Sequence, residues 1–477
     1  MSDISPMRDA LDARTVVLGD VTPARSRHGG RRSSVLLTED LVAVGTADGA
    51  VRAFDPESLE PRWSVRRDEL GESQRERDGG SSRERGGDDE RGGDGGASNR
   101  AAGGAIVALA SLDGTLVVGE RGPRGLVSAL DARTGALRWR YETAADVGEA
   151  SGGGRFGLPF VADARSADGR AFVAARRYDR SGGDRSFRSV VYAFEPDGTV
   201  AWRYENDASP VSLDVGDGRV AVAYNRCPGE HADGLVVLDA DAGDVRARWD
   251  PPGDGERRVG DASLFDGGVA VASHADYRGY ALDTDRLEAA RGRAGGPVDD
   301  PVQATDGEGT RSTDEDSIRW SVPLGIETPT DGETLYAYPN HVRAAGGRIA
   351  FLTGNTYSTA GRETDRRHPD EHALSGYDHD GERRWSVSVG GFATELAADG
   401  DRLAVPCAQH FRSRDPEVHG LRLATLEDGA GEAVSTDGVV TAAALADGRV
   451  AAVEEPVVYH DEGVERGAYR LLVATVD

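Results

Sequence analysis

Residues 129–139 read Ala-Leu-Asp-Ala-Arg-Thr-Gly-Ala-Leu-Arg-Trp, and this stretch decides the fold because it contains a complete turn between two strands. An alternating apolar strand ends at Asp131, Thr134-Gly135 reverses the chain, and a second strand carries Trp139. Gly135 suits the reversal because glycine adopts positive φ at little cost. The stretch therefore predicts a β-hairpin.

The same sequence motif recurs along the chain, and every tryptophan lies in one of its copies. Each copy has an apolar strand that ends at an acidic residue, a turn, and a strand that carries tryptophan. The six tryptophans are Trp63, Trp139, Trp202, Trp249, Trp320 and Trp385. The recurrence predicts a repeat protein rather than the three domains that the length alone suggests.

A second landmark repeats eight times: a short strand of the Val-Ala-Val type that follows a tight acidic turn. The copies lie at 41–44, 115–118, 170–173, 219–222, 268–271, 348–351, 402–405 and 449–452. Four short strands per unit, repeated radially, are typical of a β-propeller. We therefore predict an all-β, eight-bladed β-propeller of four-stranded antiparallel blades.

The two chain ends predict how the ring closes. The last unit stops at its third strand, within 468–476, and a strand at 14–20 has no partner among the repeats. We expect this N-terminal strand to complete the last blade and cover its edge. The propeller domain then spans 14–477, after a disordered N-terminus at 1–13.

Insertions at 67–104 and 288–317 have almost no apolar residues and are predicted to be disordered.

The composition narrows the setting. Of 477 residues, 83 are acidic and 56 are basic, and the formal net charge is −27. All the basic residues are arginine, and an acidic, lysine-free surface is typical of proteins that work at molar salt in halophiles. The negative charge argues against a nucleic-acid ligand.

Location is predicted from the cysteines and from apolar runs. Cys227 and Cys407 lie in non-neighbouring repeats, so we expect no disulfide and a reduced, cytoplasmic setting. Residues 1–20 contain early acidic residues and no apolar h-region, so we expect no secretory signal. No apolar run approaches the 18 residues that suggest a membrane span.

The repeat resembles that of a known propeller class. The Asp131, Thr134-Gly135 and Trp139 text resembles the eight-bladed repeat of the PQQ-dependent alcohol dehydrogenases and of the assembly lipoprotein BamB, and the resemblance spans 14–477. It implies that the six tryptophans are structural docking residues between blades. The enzymes of this class need an adjacent cysteine pair, a calcium site and a catalytic aspartate around the quinone, and the separated Cys227 and Cys407 argue against PQQ.

The resemblance therefore favours a non-catalytic binding or scaffold protein of the PQQ-like, BamB-like class, acting as a monomer with a protein partner or a small ligand. The alternative is a quinoprotein-like oxidoreductase, or another enzyme with a small-molecule or metal site at the channel mouth.

Candidate binding residues lie in the long loops between the second and third strands of later blades, which share one face. Seven of the ten histidines fall there, namely His231, His274, His368, His372, His410, His419 and His460. They either mark a binding face or are ordinary polar residues of exposed loops.

A second candidate comes from aligning the innermost strands on their turns. One column then contains Asp163, Asp261, His341 and Glu395, which could ring the channel entrance. Carboxylates with an imidazole suit a divalent cation, and Asp261, His341 and Glu395 come from neighbouring blades 5, 6 and 7. The other interpretation is that these polar residues only line a solvated channel.

Overall fold

Short antiparallel strands make up most of the structure, as the alternating sequence predicts. The computed structural model describes residues 8–9, 11–24, 32–66, 104–151, 157–181, 184–293, 315–326, 328–330, 333–358, 364, 366–410, 414–459 and 463–476. The prediction of an all-β protein built from four-stranded antiparallel sheets is confirmed.

The strands group into repeated sets that we call units 1 to 8. Two strands precede the units, β1 (Arg8–Asp9) and β2 (Arg14–Val17). Unit 1 contains β3 (Ser34–Leu37), β4 (Val42–Gly45), β5 (Ala50–Phe54) and β6 (Pro61–Arg66). Unit 2 contains β7 (Ala105–Leu112), β8 (Thr115–Arg121), β9 (Leu126–Asp131) and β10 (Leu137–Glu142). Unit 3 contains β11 (Phe160–Ala167), β12 (Arg170–Ser181), β13 (Asp184–Phe194) and β14 (Val200–Asn206). Unit 4 contains β15 (Ser209–Gly216), β16 (Arg219–Arg226), β17 (Leu235–Asp239) and β18 (Val245–Trp249).

The second half of the chain continues the series. Unit 5 contains β19 (Val259–Phe265), β20 (Gly268–Ser273), β21 (Arg278–Asp283) and β22 (Ile318–Pro323). After β23 (Thr328–Thr330), unit 6 contains β24 (Glu333–Ala345), β25 (Arg348–Tyr357), β26 (Ala373–Tyr377) and β27 (Arg383–Ser388). Unit 7 contains β28 (Ala397–Asp399), β29 (Arg402–Cys407), β30 (Gly420–Thr425) and β31 (Glu432–Ser435). Unit 8 contains β32 (Val439–Ala446), β33 (Arg449–Glu455) and β36 (Arg470–Thr475), with a small hairpin of β34 (Val457–Val458) and β35 (Glu465–Arg466) between them. The helices are α1 (Ala144–Val147), α2 (Thr284–Arg293) and two 3₁₀ turns, Glu315–Ser317 and Pro416–Val418.

Within each unit the strands pair in chain order, and the first one is the inner strand. Among the described residues, unit 8 contributes β32, β33 and β36 to its main sheet, and β2 pairs antiparallel with β36, with Val16 opposite Leu471. The Leu18 backbone N–H extends this pairing by donating to the Tyr469 carbonyl at 2.8 Å. Strand β1, which lies in the segment predicted to be disordered, pairs parallel with β31 of unit 7.

The hydrophobic core lies between the units. Each of eight apolar clusters joins the facing sides of two units that follow one another in sequence, or joins unit 8 to unit 1. Leu18, Leu37 and Val453, for example, share the cluster between units 8 and 1. Sheet-on-sheet burial is therefore the main source of stability, as expected when every blade covers its neighbours.

The insertions lie largely outside the described residues. Of the predicted disordered segment 67–104, only residue 104 is described. The predicted segment 288–317 differs from expectation at both ends, because α2 extends to Arg293 and a 3₁₀ turn occupies Glu315–Ser317. Residues 294–314 lie outside the described part.

Five of the six tryptophans fasten one unit to the next. Each indole N–H donates to a backbone carbonyl in the hairpin turn of the following unit. The pairs are Trp63 with Ala132, Trp139 with Pro196, Trp202 with Ala240, Trp320 with His379 and Trp385 with Leu426, at 2.9–3.1 Å. Trp202 and Trp249 are buried, and the other four are half-buried.

Trp249 docks differently because unit 5 has a helix where other units have a tight turn. Helix α2 follows β21 directly, and its buried Leu287 packs in the same cluster as Trp249. The helix thus replaces the turn as the surface that Trp249 contacts.

Among the described residues, no helix is both long and apolar enough to span a membrane.

Candidate functional site

The aligned column of inner-strand residues is a real structural position. Asp163, Asp261 and His341 each pair with the equivalent residue of the second strand, namely Ala174, Ala272 and Leu352. A register shift precedes each of them, and also precedes Ala108, Ser212 and Ala442 in the other units. A β-bulge re-aims the side chain that follows it, so the repeated bulge directs this column.

The column carboxylates join neighbouring units. Asp163 accepts a hydrogen bond from the Leu213 backbone N–H of unit 4 at 3.0 Å. Asp261 accepts one from Val342 of unit 6 at 3.1 Å, and Glu395 accepts one from Ala443 of unit 8 at 2.6 Å. In each case the donor is the residue after the column position of the next unit. These side chains thus supply acceptors for backbone N–H groups, which are costly to leave unpaired when buried.

The predicted cation ligands Asp261, His341 and Glu395 already make contacts with other groups of the protein. His341 Nδ1 lies 3.7 Å from Asp261 Oδ2, but the same oxygen also holds Arg343 at 2.9 Å. Burial works against the charged form of Asp261, yet Arg343 and His341 hold its pKa below the usual range. Glu395 is bonded across a different seam, between units 7 and 8. Asp261 is therefore the partner of a permanent cation, Arg343.

A central cavity of about 680 Å³ is lined by the inner strands of all the units. Its polar residues include Asp163, Arg165, Asp214, Arg343 and Glu395. Burial opposes the charge of Arg343, but Asp261, Asp214 and Asp163 outweigh burial and raise the pKa of that guanidinium. The cavity wall thus holds charges of both signs that largely satisfy one another.

The long-loop histidines are mostly not exposed polar residues. His231, His368, His372, His410 and His419 are buried and His274 is half-buried, while His460 lies outside the described residues. Several rings donate to carbonyl groups and so anchor the loops, as His368 does to Ile326 at 2.8 Å. Two of them, His372 and His410, lie next to each other with ring centroids 5.0 Å apart.

The long-loop end of the units also carries a chain of arginines and aromatic rings, which we call the arginine strip: Arg121, Arg176, Arg226 and Arg257 with Phe160 and Tyr338. Arg121 and Arg176 lie over the Phe160 ring, with guanidinium carbons 5.8 and 5.2 Å from its centroid. Arg226 forms a backbone bridge with Arg257, which lies 4.7 Å from the centroid of Tyr338. The strip therefore crosses units 2 to 6.

Like charges crowd one another within the arginine strip. Burial and the neighbouring Arg226 lower the pKa of Arg176 to about 10. Burial, Arg257 and Arg185 likewise lower the pKa of Arg226, for which Glu256 at 3.7 Å is only a loose partner. Next to the strip, burial and Arg257 lower the pKa of His274 to about 3 and keep it neutral. An anionic group would relieve this crowding, since guanidinium groups bind carboxylates in bidentate fashion.

The arginine strip was not among the residues that the sequence singled out. Arg121 and Arg176 stand at equivalent positions, two residues after the second-strand partner of the column. That equivalence can be read from the sequence, whereas the histidines stand out in it because they are rarer.

The two cysteines are free, as expected, and burial raises the pKa of Cys227 to about 12 and of Cys407 to about 11.

Comparisons with known proteins agree with this architecture. Residues 87–247, about a third of the chain, match the family model described as outer membrane protein assembly factor BamB. No curated protein sequence matches the chain.

The crystal structure of BamB from Moraxella catarrhalis is similar at 14% identity, with 97% of this chain and 98% of that chain covered and a TM-score of 0.51. The computationally designed Ika8 protein is similar at 11% identity, with 92% and 98% covered and a TM-score of 0.50. Quinohemoprotein alcohol dehydrogenase from Comamonas testosteroni has 13% identity, with 98% and 76% covered and a TM-score of 0.49. The similarity to BamB along nearly the whole of both chains supports a β-propeller fold.

Proposed function

We propose that this protein is a non-catalytic β-propeller scaffold that binds an acidic protein partner on its long-loop face. The arginine strip is the observation that carries the proposal, because it collects four arginines and two aromatic rings on one face. Arginine and aromatic residues are enriched where proteins bind one another. The family match to BamB, described as an assembly factor, supports a role in interaction.

The overall charge explains why such a strip is useful. A protein of charge −27 repels other acidic proteins, which are the partners expected in a halophilic cell. A local set of arginines gives a partner's carboxylates one favourable place to dock, and so fixes orientation as well as affinity. Arg176 and Arg226 gain most from such a partner, because each now lies near another arginine.

We propose further that the units are the eight blades of a ring closed by the N-terminal strand. The pairing of β2 with β36 supports closure, and so does the apolar cluster between units 8 and 1. The cavity lined by the inner strands is the channel of such a ring. The lysine-free composition and the two free thiols support a halophilic, cytoplasmic protein, and we expect a monomer.

The oxidoreductase alternative gains no specific support from the site. The two thiols lie in different units, so no adjacent cysteine pair is available to a quinone. Arg343, which lines the cavity, is already paired with the carboxylate of Asp261.

The interaction role is tested by capture from the native host at high salt with charge-reversal variants. The double variant Arg176→Glu/Arg257→Glu should lose at least 90% of a partner that the wild type retains. Arg319→Glu is the matched control, because Arg319 also lies over an aromatic ring, Phe265, but at the opposite end of unit 5. Equal capture by all three proteins, or capture of nothing by the wild type, would contradict the proposal.

A further inference from the structure

A second chemical site lies on the long-loop face, between units 6 and 7. Among the described residues, one group of histidine, cysteine or acidic side chains could hold a metal ion, namely Glu371, His372 and His410, whose ligand atoms all lie within 4.8 Å of one another. Glu371 Oε1 and His410 Nε2 are 3.0 Å apart, and both side chains are 5% exposed. Glu371 and His372 come just before β26, and His410 follows β29.

Neighbouring side chains hold these three groups in place. His372 Nε2 lies 2.9 Å from Asn355 Oδ1. An amide oxygen only accepts, so Nε2 carries the proton and the lone pair of His372 is on Nδ1. Glu371 Oε2 accepts from the Thr356 backbone N–H at 3.0 Å, and also from the Thr356 hydroxyl. Metal-binding side chains in proteins are oriented by this kind of outer hydrogen bond.

The backbone at this position is also unusual. His372 has φ of +53°, a left-handed conformation that side-chain-bearing residues seldom adopt. In this conformation the His372 carbonyl accepts a hydrogen bond from the Val389 N–H at 2.9 Å. Such strained conformations concentrate at functional sites, where the surrounding structure maintains them.

We propose that Glu371, His372 and His410 bind a divalent transition-metal ion of the zinc class. Two imidazoles and one carboxylate suit Zn²⁺, whereas Ca²⁺ and Mg²⁺ prefer sites made of oxygen alone. At Zn–ligand distances near 2.0–2.1 Å, tetrahedral ligand atoms are about 3.3 Å apart. The Glu371–His410 separation of 3.0 Å already matches this, and a ring nitrogen of His372 lies within 4.8 Å of both.

Three protein ligands leave one coordination position open. The ion joins the long loops of units 6 and 7 across their seam, so it stabilises the same face that carries the arginine strip. The metal site does not depend on the proposed partner, because none of its ligands belongs to the arginine strip.

Metal binding is tested on the full chain, stripped with a chelator and dialysed against Zn²⁺ in concentrated KCl with excess Mg²⁺. The excess Mg²⁺ occupies surface carboxylates but competes poorly for imidazole nitrogen. We expect one bound zinc per chain, and a Tm about 3 °C higher when zinc is in 100-fold excess over its Kd. Replacement by Co²⁺ should give the visible absorption of a four-coordinate nitrogen and oxygen site.

The variants Glu371→Gln, His372→Ala and His410→Ala should each lose this zinc and the rise in Tm. The matched control is His379→Ala in unit 6, because that imidazole is 77% exposed and outside the group. The cobalt spectrum of the wild type tests for a site with nitrogen and oxygen ligands without any variant. It therefore remains a valid test when a variant folds poorly. A wild type with less than half an equivalent of zinc, or a His410→Ala protein that binds as the wild type does, would overturn the proposal.

Discussion

At the scale of single residues, the contacts between units depend on a glycine in each hairpin turn that leaves room for the docking tryptophan. The turn glycine of the following unit lies directly under the docking tryptophan. A Cβ added to Gly198 would be 2.6 Å from Trp139, and one added to Gly135 would be 2.7 Å from Trp63. Glycine is therefore required twice at this position, once for its positive φ and once for the close approach of the indole ring.

The second requirement predicts a measurable difference between two glycines. Gly198→Ala should destabilise the protein by about 3 kcal/mol, because the methyl group strains the turn and pushes Trp139 away. Gly169→Ala is the control, since Gly169 has similar positive φ and no atom within 4 Å of the added Cβ. It should cost only about 1 kcal/mol. Denaturant titration of both variants measures the difference, and equal losses would contradict the docking role.

The sequence predicted the docking tryptophans but not their surroundings. Trp139 stands at a fixed distance from Asp131 and Gly135, so the hairpin alone locates it. The aligned column was also found correctly as a position, but its chemistry depends on the next unit. Leu213 N–H and Arg343 reach Asp163 and Asp261 from other strands, and no local pattern reveals them.

At the scale of elements, the N-terminal strand and the long loops do most to shape the molecule. Strand β2 shields the edge of β36, and its neighbour Leu18 is fully buried between units 8 and 1. Arg52 of unit 1 also donates to the Leu18 carbonyl.

Helix α2 was not expected from the sequence, because its Thr284 start lies beside a charged segment that resembles the insertion after it.

Removal of β2 should therefore weaken the whole protein. A chain that begins at residue 22 should melt about 5 °C lower, because it loses Leu18 burial and the β2–β36 hydrogen bonds. A chain that begins at residue 10 loses only β1 and should melt within 1–2 °C of the full protein. Calorimetry distinguishes them. The closed ring would be contradicted if the two truncations melted alike.

At the scale of the whole molecule, the important contrast is between a strongly acidic protein and one arginine-rich face. The net charge is −27, yet Arg121, Arg176, Arg226 and Arg257 lie along the long-loop ends of successive units. Composition alone predicts an evenly acidic surface, since it contains no information about which arginines meet. The fold assembles the arginine strip across units 2 to 6, so only the structure could identify it.

The proposed partner binds at the arginine strip, and site-specific photocrosslinking in the native host tests this docking position. A photoreactive phenylalanine replaces Tyr178, whose ring lies 5.2 Å from Phe187 beside Arg176, or replaces Phe265, which lies under Arg319 at the opposite end of the units. We expect one defined protein adduct from position 178 and none from position 265. An adduct from position 265 alone, or the same adduct from both positions, would contradict the claim.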